Sequence, residues 1–312
     1  RKKMTPSGSR ESADEEVLEA IKHDHEVIPV ILEFRECQKL KGTYCEPIVK
    51  FASRAGDGTW RLFGNFSHTR VPTGRFAMKE PNLLAIAAHS ERARKLRKGF
   101  ITRKGWVILT VDLSQIEMRI AAHRCNSPQL ISIYLNDEDV YSEFAITAFH
   151  LDDYKFRNDS GKWIYPSVDK EEHRFPAKTC VLASLYDVTA QGLLVQMPTG
   201  KGWNELKCQD LLNAFYVKFP EVLELRKVDH NRARRYLMVW DMWGRIIHTS
   251  GMKSALPYVI AESLRSLGNH PYQGGACGVF KLGMAQTHAL WEGCGLQDVI
   301  HPLLPIQDDP AT

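Results

Sequence analysis

The sequence predicts an α+β fold of mainly helical character, and three observations carry that reading. Helix-period apolar patterns dominate the chain. The β-branched or alternating runs are short and lie far apart. No regular strand–helix–strand alternation joins them, and neither GxxxxGK[ST] nor GxGxxG follows a strand, which removes the main support for P-loop and dinucleotide-binding folds. With 312 residues, 44% hydrophobic and 25% charged, the chain can bury a sizeable core as two domains or one large unit with subdomains. Its 21 Gly and 15 Pro are ordinary for this length, so collagen-like and low-complexity classes are excluded.

The elements follow in order. The polar opening with Thr5-Pro-Ser-Gly-Ser reads as a loose entry. Asp14–Ile21 reads as a short acidic helix with Ser12 or Asp14 as N-cap, and Ile28–Tyr44 as a longer one. Residues 55–75, with Gly56-Asp-Gly and the alternating Trp60-Arg-Leu-Phe, predict a β-hairpin or meander. Trp106–Asp112 is apolar, β-branched and ends in an acid, the pattern of a buried strand. A helix then starts at Ser114, with Ile116, Ile120 and Ala121 on one face. The stretch 151–171 is polar and turn-rich, as an insertion would be. Glu171–Leu193 predicts a helix with Pro176 in its first turn, and further helices fit 203–218, 256–267 and 276–292.

Charge and cysteine content narrow the setting. The formal charge of +4 is too small to imply a polyanion partner, but its distribution is uneven. Arg92, Arg94, Lys95, Arg97, Lys98, Arg103 and Lys104 cluster with only Glu91 to offset them, which suits either phosphate contacts or a solvated helix face. No uninterrupted apolar stretch approaches the ~18 residues of a membrane span, and no apolar segment follows the basic Arg1-Lys2-Lys3. Seven cysteines without a Cys-x-x-Cys pair predict reduced thiols in a cytosol-like compartment; a secreted or membrane location is not expected.

Three local patterns carry chemistry. Asp112 ends its apolar run just before a helix, where it can expose a carboxylate beside a cleft or simply act as an N-cap. Arg174, Lys178, Leu182 and Tyr186 step by four along one broad helix face, and two cations near its N-terminus suit a polyphosphate or a solvated basic helix. Leu303-Leu-Pro-Ile-Gln-Asp-Asp309 could bring further carboxylates to the same cleft, as two Mg²⁺ ions need for nucleotidyl transfer, or be a polar end after a short strand.

In combination these patterns resemble family A DNA polymerases, the group that includes the bacterial repair polymerase. Thr73-Gly-Arg-Phe-Ala-Met-Lys-Glu-Pro-Asn-Leu83 resembles TGRxxxxxPNL, and Asp112-Leu-Ser-Gln-Ile-Glu-Met-Arg119 resembles motif A, DYSQIELR. Arg174-Phe-Pro-Ala-Lys178 with Tyr186 is similar to motif B, RRxxKxxxFGxxYG; Asn269-His-Pro-Tyr-Gln-Gly274 matches NxxxQG; Gln307-Asp-Asp309 sits where HDE of motif C belongs. Lys39-Leu-Lys-Gly-Thr-Tyr44, Asp139-Val-Tyr141 and Gly244-Arg245 are smaller echoes, all in family order.

The resemblance implies a right-hand polymerase architecture: a palm with a short antiparallel sheet and helical fingers, most of the thumb being absent. It divides the chain into 1–50 (end of thumb and entry to palm), 51–135 (first palm part, motif A), 136–235 (fingers, motif B helix) and 236–312 (second palm part, motif C). It implies a template-directed DNA polymerase acting on primer–template DNA and dNTPs with two Mg²⁺ ions. Asp112 and Asp308 would hold the metals with the carbonyl of Leu113, and Asp309 would support them. Glu117 would be the steric gate against a 2′-hydroxyl. Arg174 and Lys178 would bind the triphosphate, Lys178 protonating the leaving pyrophosphate; Leu182 and Tyr186 would border the nucleotide. Arg75, Asn82, Asn269 and Gln273 would contact the primer–template from the minor groove, where the acceptors are common to all correct pairs. The basic 92–104 run would meet the duplex backbone. The setting would be the cytoplasm or viral or phage replication, with any processivity or exonuclease partner unidentified.

Several positions depart from the family pattern. Leu182 and Ala183 replace Phe-Gly of motif B, Asp187 replaces the Gly after Tyr186, and Leu113 replaces the motif A Tyr. Tyr141 stands for a His and Gln307 for the His of motif C, with Pro305 just before it. Retained activity with altered nucleotide selection or fidelity is the expectation. Two other readings remain: a single-subunit RNA polymerase-like enzyme, disfavoured by Glu117, and a non-catalytic or truncated DNA-binding relic, suggested by Asp187, Pro305 and the abrupt end. No exonuclease domain is evident, so weak DNA grip and no proofreading are expected.

Overall fold

The computed structural model describes residues 13, 15–22, 24–86, 90–198 and 201–302. They fall into two units, each with its own contacts. The first holds the described residues up to His68 together with Phe76–Thr110; the second holds Thr69–Arg75 and the described residues from Val111 onward.

In the first unit, α1 (Glu15–Ala20) precedes α2 (Val27–Lys39), which passes through a π-helical turn at Leu40–Cys45 into α3 (Glu46–Phe51). The predicted helix to Tyr44 therefore runs on to Phe51, because Pro47 falls in the first turn of α3, where its missing N–H is harmless. In place of a single hairpin or meander over 55–75, two separate antiparallel ribbons form: β1 (Ser53–Arg54) with β2 (Trp60–Arg61), and β3 (Asn65–Ser67) with β4 (Ala77–Lys79), Phe66 facing Met78. Asp57 shapes the first turn by accepting from the Thr59 amide at 3.0 Å. Ser90 caps α4 (Glu91–Arg97) through the Ala93 amide. From α4, Arg92 reaches back to Glu33 and Glu36 on α2.

The predicted buried strand at 106–112 does not form. Among the described residues, 106–113 form no β ladder, and Val107, Leu109 and Val111 are 87%, 84% and 76% exposed. Local β propensity is present, but among the described residues a ladder partner and a covering layer are not, and strand structure depends on both.

The second unit is a helical assembly with two small ribbons. Its elements are α5 (Ile116–Cys125), α6 (Pro128–Leu135), α7 (Val140–Phe149), the hairpin β5 (Phe156–Arg157) with β6 (Trp163–Ile164), α8 (Phe175–Leu185), α9 (Ala190–Gln196), α10 (Glu205–Lys218), α11 (Pro220–Tyr236), β7 (Met238–Trp240) with β8 (Ile246–His248), and α12 (Pro257–Gly293). The core runs through Met118, Leu130, Phe144, Val181, Leu193, Phe215 and Phe219, with Phe144 and Phe215 edge to face at 5.6 Å.

Two helix predictions change here. The predicted helix 171–193 is divided: a π turn at Lys170–Arg174 leads into α8, Asp187 takes φ +57, and Thr189 caps α9. Conversely, 256–267 and 276–292 are one helix of 37 residues with Pro271 inside it. The glycines that suggest a break permit close approach instead. A Cβ at Gly274 would stand 2.6 Å from Asp241 Oδ2, so only glycine lets the β7–β8 turn lie against α12. No helix among the described residues is long and apolar enough to cross a membrane, and all seven cysteines are free thiols.

Candidate active site

Glu117 is the centre of the site. The Val111–Leu113 stretch enters a turn in which Gln115 adopts φ +53, and α5 starts one residue later. That geometry sets Glu117 in the first turn of α5, only 8% exposed. One carboxylate oxygen accepts from Arg75 Nη2 at 3.1 Å, and the other accepts from the Tyr186 hydroxyl. Burial raises the Tyr186 phenol far above its usual range, Glu117's charge adds to this, and a hydrogen bond with Gln273 partly opposes it. Four predicted residues from four separate segments therefore converge: Arg75, Glu117, Tyr186 and Gln273.

The turn that carries Arg75 is held from α12. Gly74, at φ +77, offers its carbonyl to Cys277 Sγ at 2.9 Å and Lys281 Nζ at 2.6 Å. Arg245 sits between this turn and α12, paired with the fully buried Asp241 at 2.8 Å and donating to the Gly274 carbonyl. Asn269 is half-buried, and its Oδ1 has no hydrogen-bond partner among the described residues.

A second group gathers at the start of α8. Arg174 donates to both oxygens of Asp139, from Nε at 2.8 Å and Nη2 at 3.1 Å, and lies over the Tyr141 ring at 5.3 Å. Burial works to raise the Asp139 carboxyl, but hydrogen bonds from Arg174 and Ser142 outweigh it and hold the carboxyl below its ordinary value. Burial pushes the Tyr141 phenol up to about 12, with Asp139's charge adding to it. Gln115 joins this group to the motif A turn, donating to Asp139 at 3.1 Å and accepting from Tyr134 at the same distance. Lys178 is half-buried one turn along α8, and Leu182 packs against the main core a turn later.

The remaining predicted residues are distributed as follows. Asp112 is exposed and Leu113 half-buried. Asp308, Asp309, Gln307 and Pro305 lie outside the described residues. Asn82 belongs to the first unit, where its side chain caps the turn at Leu83–Ala85 through the Leu84 amide.

The sequence profile of DNA polymerase family A matches residues 1–308. The chain belongs to DNA polymerase family A. Among curated relatives of this family A chain, DNA polymerase I of Deinococcus radiodurans is 29% identical over 310 residues, covering 99% of the chain and 30% of the relative. The thermostable DNA polymerase I of Thermus filiformis is 28% identical over 313 residues, covering 98% of the chain and 34% of the relative. The chain thus spans about a third of the length of these relatives. The solved POL domain of Pol1 from M. smegmatis, in complex with DNA primer-template and dNTP, superposes with a TM-score of 0.80 at 26% identity. That match covers 95% of this chain and 49% of the other. It agrees with the α+β fold, helical with small antiparallel sheets.

Sequence reasoning overlooked several residues that organise this family A site. Asp139 is visible only as part of the Asp139-Val-Tyr141 echo, with nothing to mark it as Arg174's partner. Gln115 is internal to motif A without a stated role, and Arg226 lies in a charged helix that the sequence does not predict.

Proposed function

We propose that this chain is the catalytic part of a template-directed DNA polymerase that adds deoxynucleotides to a primer 3′-hydroxyl. The observation that supports it best is the convergence on Glu117 of Arg75, Tyr186 and, through Tyr186, Gln273. These are the residues that the family pattern assigns to the nascent pair and the primer–template minor groove.

The chain's own groups divide the work. Arg174, its plane fixed by Asp139, and Lys178 one turn away grip the triphosphate of a dNTP, and Lys178 gives a proton to the departing pyrophosphate. Tyr186 lines the base pocket, and Glu117 fills the space that a 2′-hydroxyl needs, which favours dNTPs. Arg75, Asn82, Asn269 and Gln273 read minor-groove acceptors, and the exposed bases of α4 meet backbone phosphates.

Among the described residues no group of three His, Cys, Asp or Glu side chains is arranged to hold a metal. The exposed Asp112 carboxylate and the Leu113 carbonyl are hard oxygen donors of the kind Mg²⁺ takes, and Asp308 and Asp309 would complete the set. Two bound Mg²⁺ ions would acidify the primer hydroxyl and neutralise phosphate charge. Chain and DNA would meet in the cytoplasm or in phage replication. Asp187, one ground for a non-catalytic relic, has its charge met by Arg226.

Primer extension with each dNTP tests this reading. Extension that is template-directed and abolished by Asp112→Asn is expected. No extension, or extension unaffected by that change, overturns it.

A further inference from the structure

Helix α8 ends where the family pattern has glycine and this chain has Asp187. At φ +57 this residue occupies the left-handed region, which glycine enters freely and aspartate tolerates. Its carboxylate faces α11. Oδ1 stands 2.9 Å from Arg226 Nη1, and Oδ2 stands 3.4 Å from His230 Nε2, one turn further along that helix. The Arg226 guanidinium also donates to the Ser184 carbonyl and lies over the Tyr216 ring at 5.0 Å. The Tyr216 hydroxyl donates to the same carbonyl at 3.4 Å. The pair is well covered, Arg226 being 15% and Asp187 28% exposed.

These contacts fall on both sides of Tyr186: the Ser184 carbonyl before it and the Asp187 side chain after it. The far end of Tyr186 is held separately, by Glu117 and Gln273. We propose that Asp187 and Arg226 are positioning residues for Tyr186 and, through it, determinants of nucleotide selection. The inference rests on Tyr186 lining the nucleotide pocket, as in the function proposed above. A glycine would leave the residue after Tyr186 free to change conformation. Here an ion pair resists that change. Neither side chain belongs to the group at Arg174 or to the metal acids, so removing the pair should disturb selection more than the rate of bond formation.

Three single variants and one double variant test this. Asp187→Asn keeps size and tolerance of the left-handed region but loses the charge. Asp187→Gly removes the charge and relaxes the backbone, and Arg226→Gln breaks the pair from the other side. Single-nucleotide kcat and KM are measured for matched and mismatched dNTPs, alongside thermal unfolding. Each single variant should raise the misincorporation ratio roughly ten-fold, an ordinary coupling between contacting residues, with matched kcat within about two-fold. Asp187→Asn/Arg226→Gln should be no worse than the worse single variant. Asp187→Gly should lose selection even where its Tm rises, which a merely structural role would not produce.

If the unchanged protein extends primers, Asp112→Asn does not, and selection is the same in every variant, the positioning role is overturned. If the unchanged protein fails to extend, or Asp112→Asn extends, the polymerase reading falls instead. The unfolding cycle then decides the pair by itself, and additive losses overturn it.

Discussion

Both oxygens of the Asp139 carboxylate bind the Arg174 guanidinium, Nε at 2.8 Å and Nη2 at 3.1 Å. The same carboxylate accepts from the Ser142 amide and hydroxyl at 3.0 and 2.6 Å and from Gln115 Nε2 at 3.1 Å. One acid thus caps α7, orients the arginine of motif B and fastens the turn of motif A. A fork held on two sites has little rotational freedom, so the plane of the guanidinium is preset.

Asp139→Asn keeps the shape but removes the charge and turns one acceptor into a donor. Unfolding stability should drop by about 1.5–3 kcal/mol, the range for hydrogen bonds to charged groups. KM for dNTP should rise several-fold while kcat changes less, because binding geometry is disturbed and not the reacting atoms. Thermal unfolding and single-nucleotide kinetics read the two effects. Unchanged KM would separate Asp139 from nucleotide binding.

The same residue predicts a pH dependence. Its folded carboxyl lies below its ordinary value, so the stabilisation is present above the unfolded pKa of ~3.9 and is lost as pH falls through the folded pKa. The stability difference between wild type and Asp139→Asn should be constant from neutral pH down to about pH 5 and shrink below ~3.9. Denaturant titrations at successive pH values measure that difference. A difference that grows on acidification would contradict the assignment.

How far these relationships can be read from sequence depends on their range. Arg75, Glu117, Tyr186 and Gln273 are found because each lies inside a short ordered motif. Asp139 and Arg226 are single polar residues whose roles depend on partners 35 and 39 positions away, and no local pattern marks them. The charged composition of α11 hides its helical period, with only Val222, Asp229 and Ala233 buried. The α8–α9 break is concealed because apolar periodicity continues past Asp187. In α12 the opposite happens: Gly268, Pro271 and Gly274 look like breakers, yet tertiary packing against Asp241 overrides propensity. Trp106–Asp112 shows the remaining limit, since strand propensity cannot supply the partner strand.

Helix α4 separates two kinds of base. Arg92 is committed to Glu33 and Glu36, whereas Lys98 is exposed and Lys95 pairs with the exposed Glu91. Replacing Lys95 and Lys98 with alanine should lower the slope of log affinity against log salt for duplex DNA by about 1–2, since each phosphate contact contributes ~0.9. Arg92→Ala should leave the slope unchanged and loosen the join between α2 and α4 instead. Salt-dependent binding of a primer–template checks both. Equal effects of the two changes would remove the distinction.

Glu117 offers the sharpest separation of shape from charge. Glu117→Ala opens the space beside Tyr186 and strips Arg75 and Tyr186 of their shared acceptor. Preference for dNTP over NTP should fall roughly 10–200-fold, the range expected when a pocket wall of this size is removed. Stability should fall by about 1–3 kcal/mol, because two donors in a buried setting lose their partner. Glu117→Gln keeps the volume, so sugar selection should stay close to that of the unchanged protein. Its amide binds Arg75 less strongly than a carboxylate does, so primer–template affinity should weaken through Arg75. Competition between dNTP and NTP at a single template position, with primer–template affinity measured in parallel, distinguishes the variants. If Glu117→Ala retains full sugar selection, the gate lies elsewhere and Glu117 serves only to join Arg75 to Tyr186.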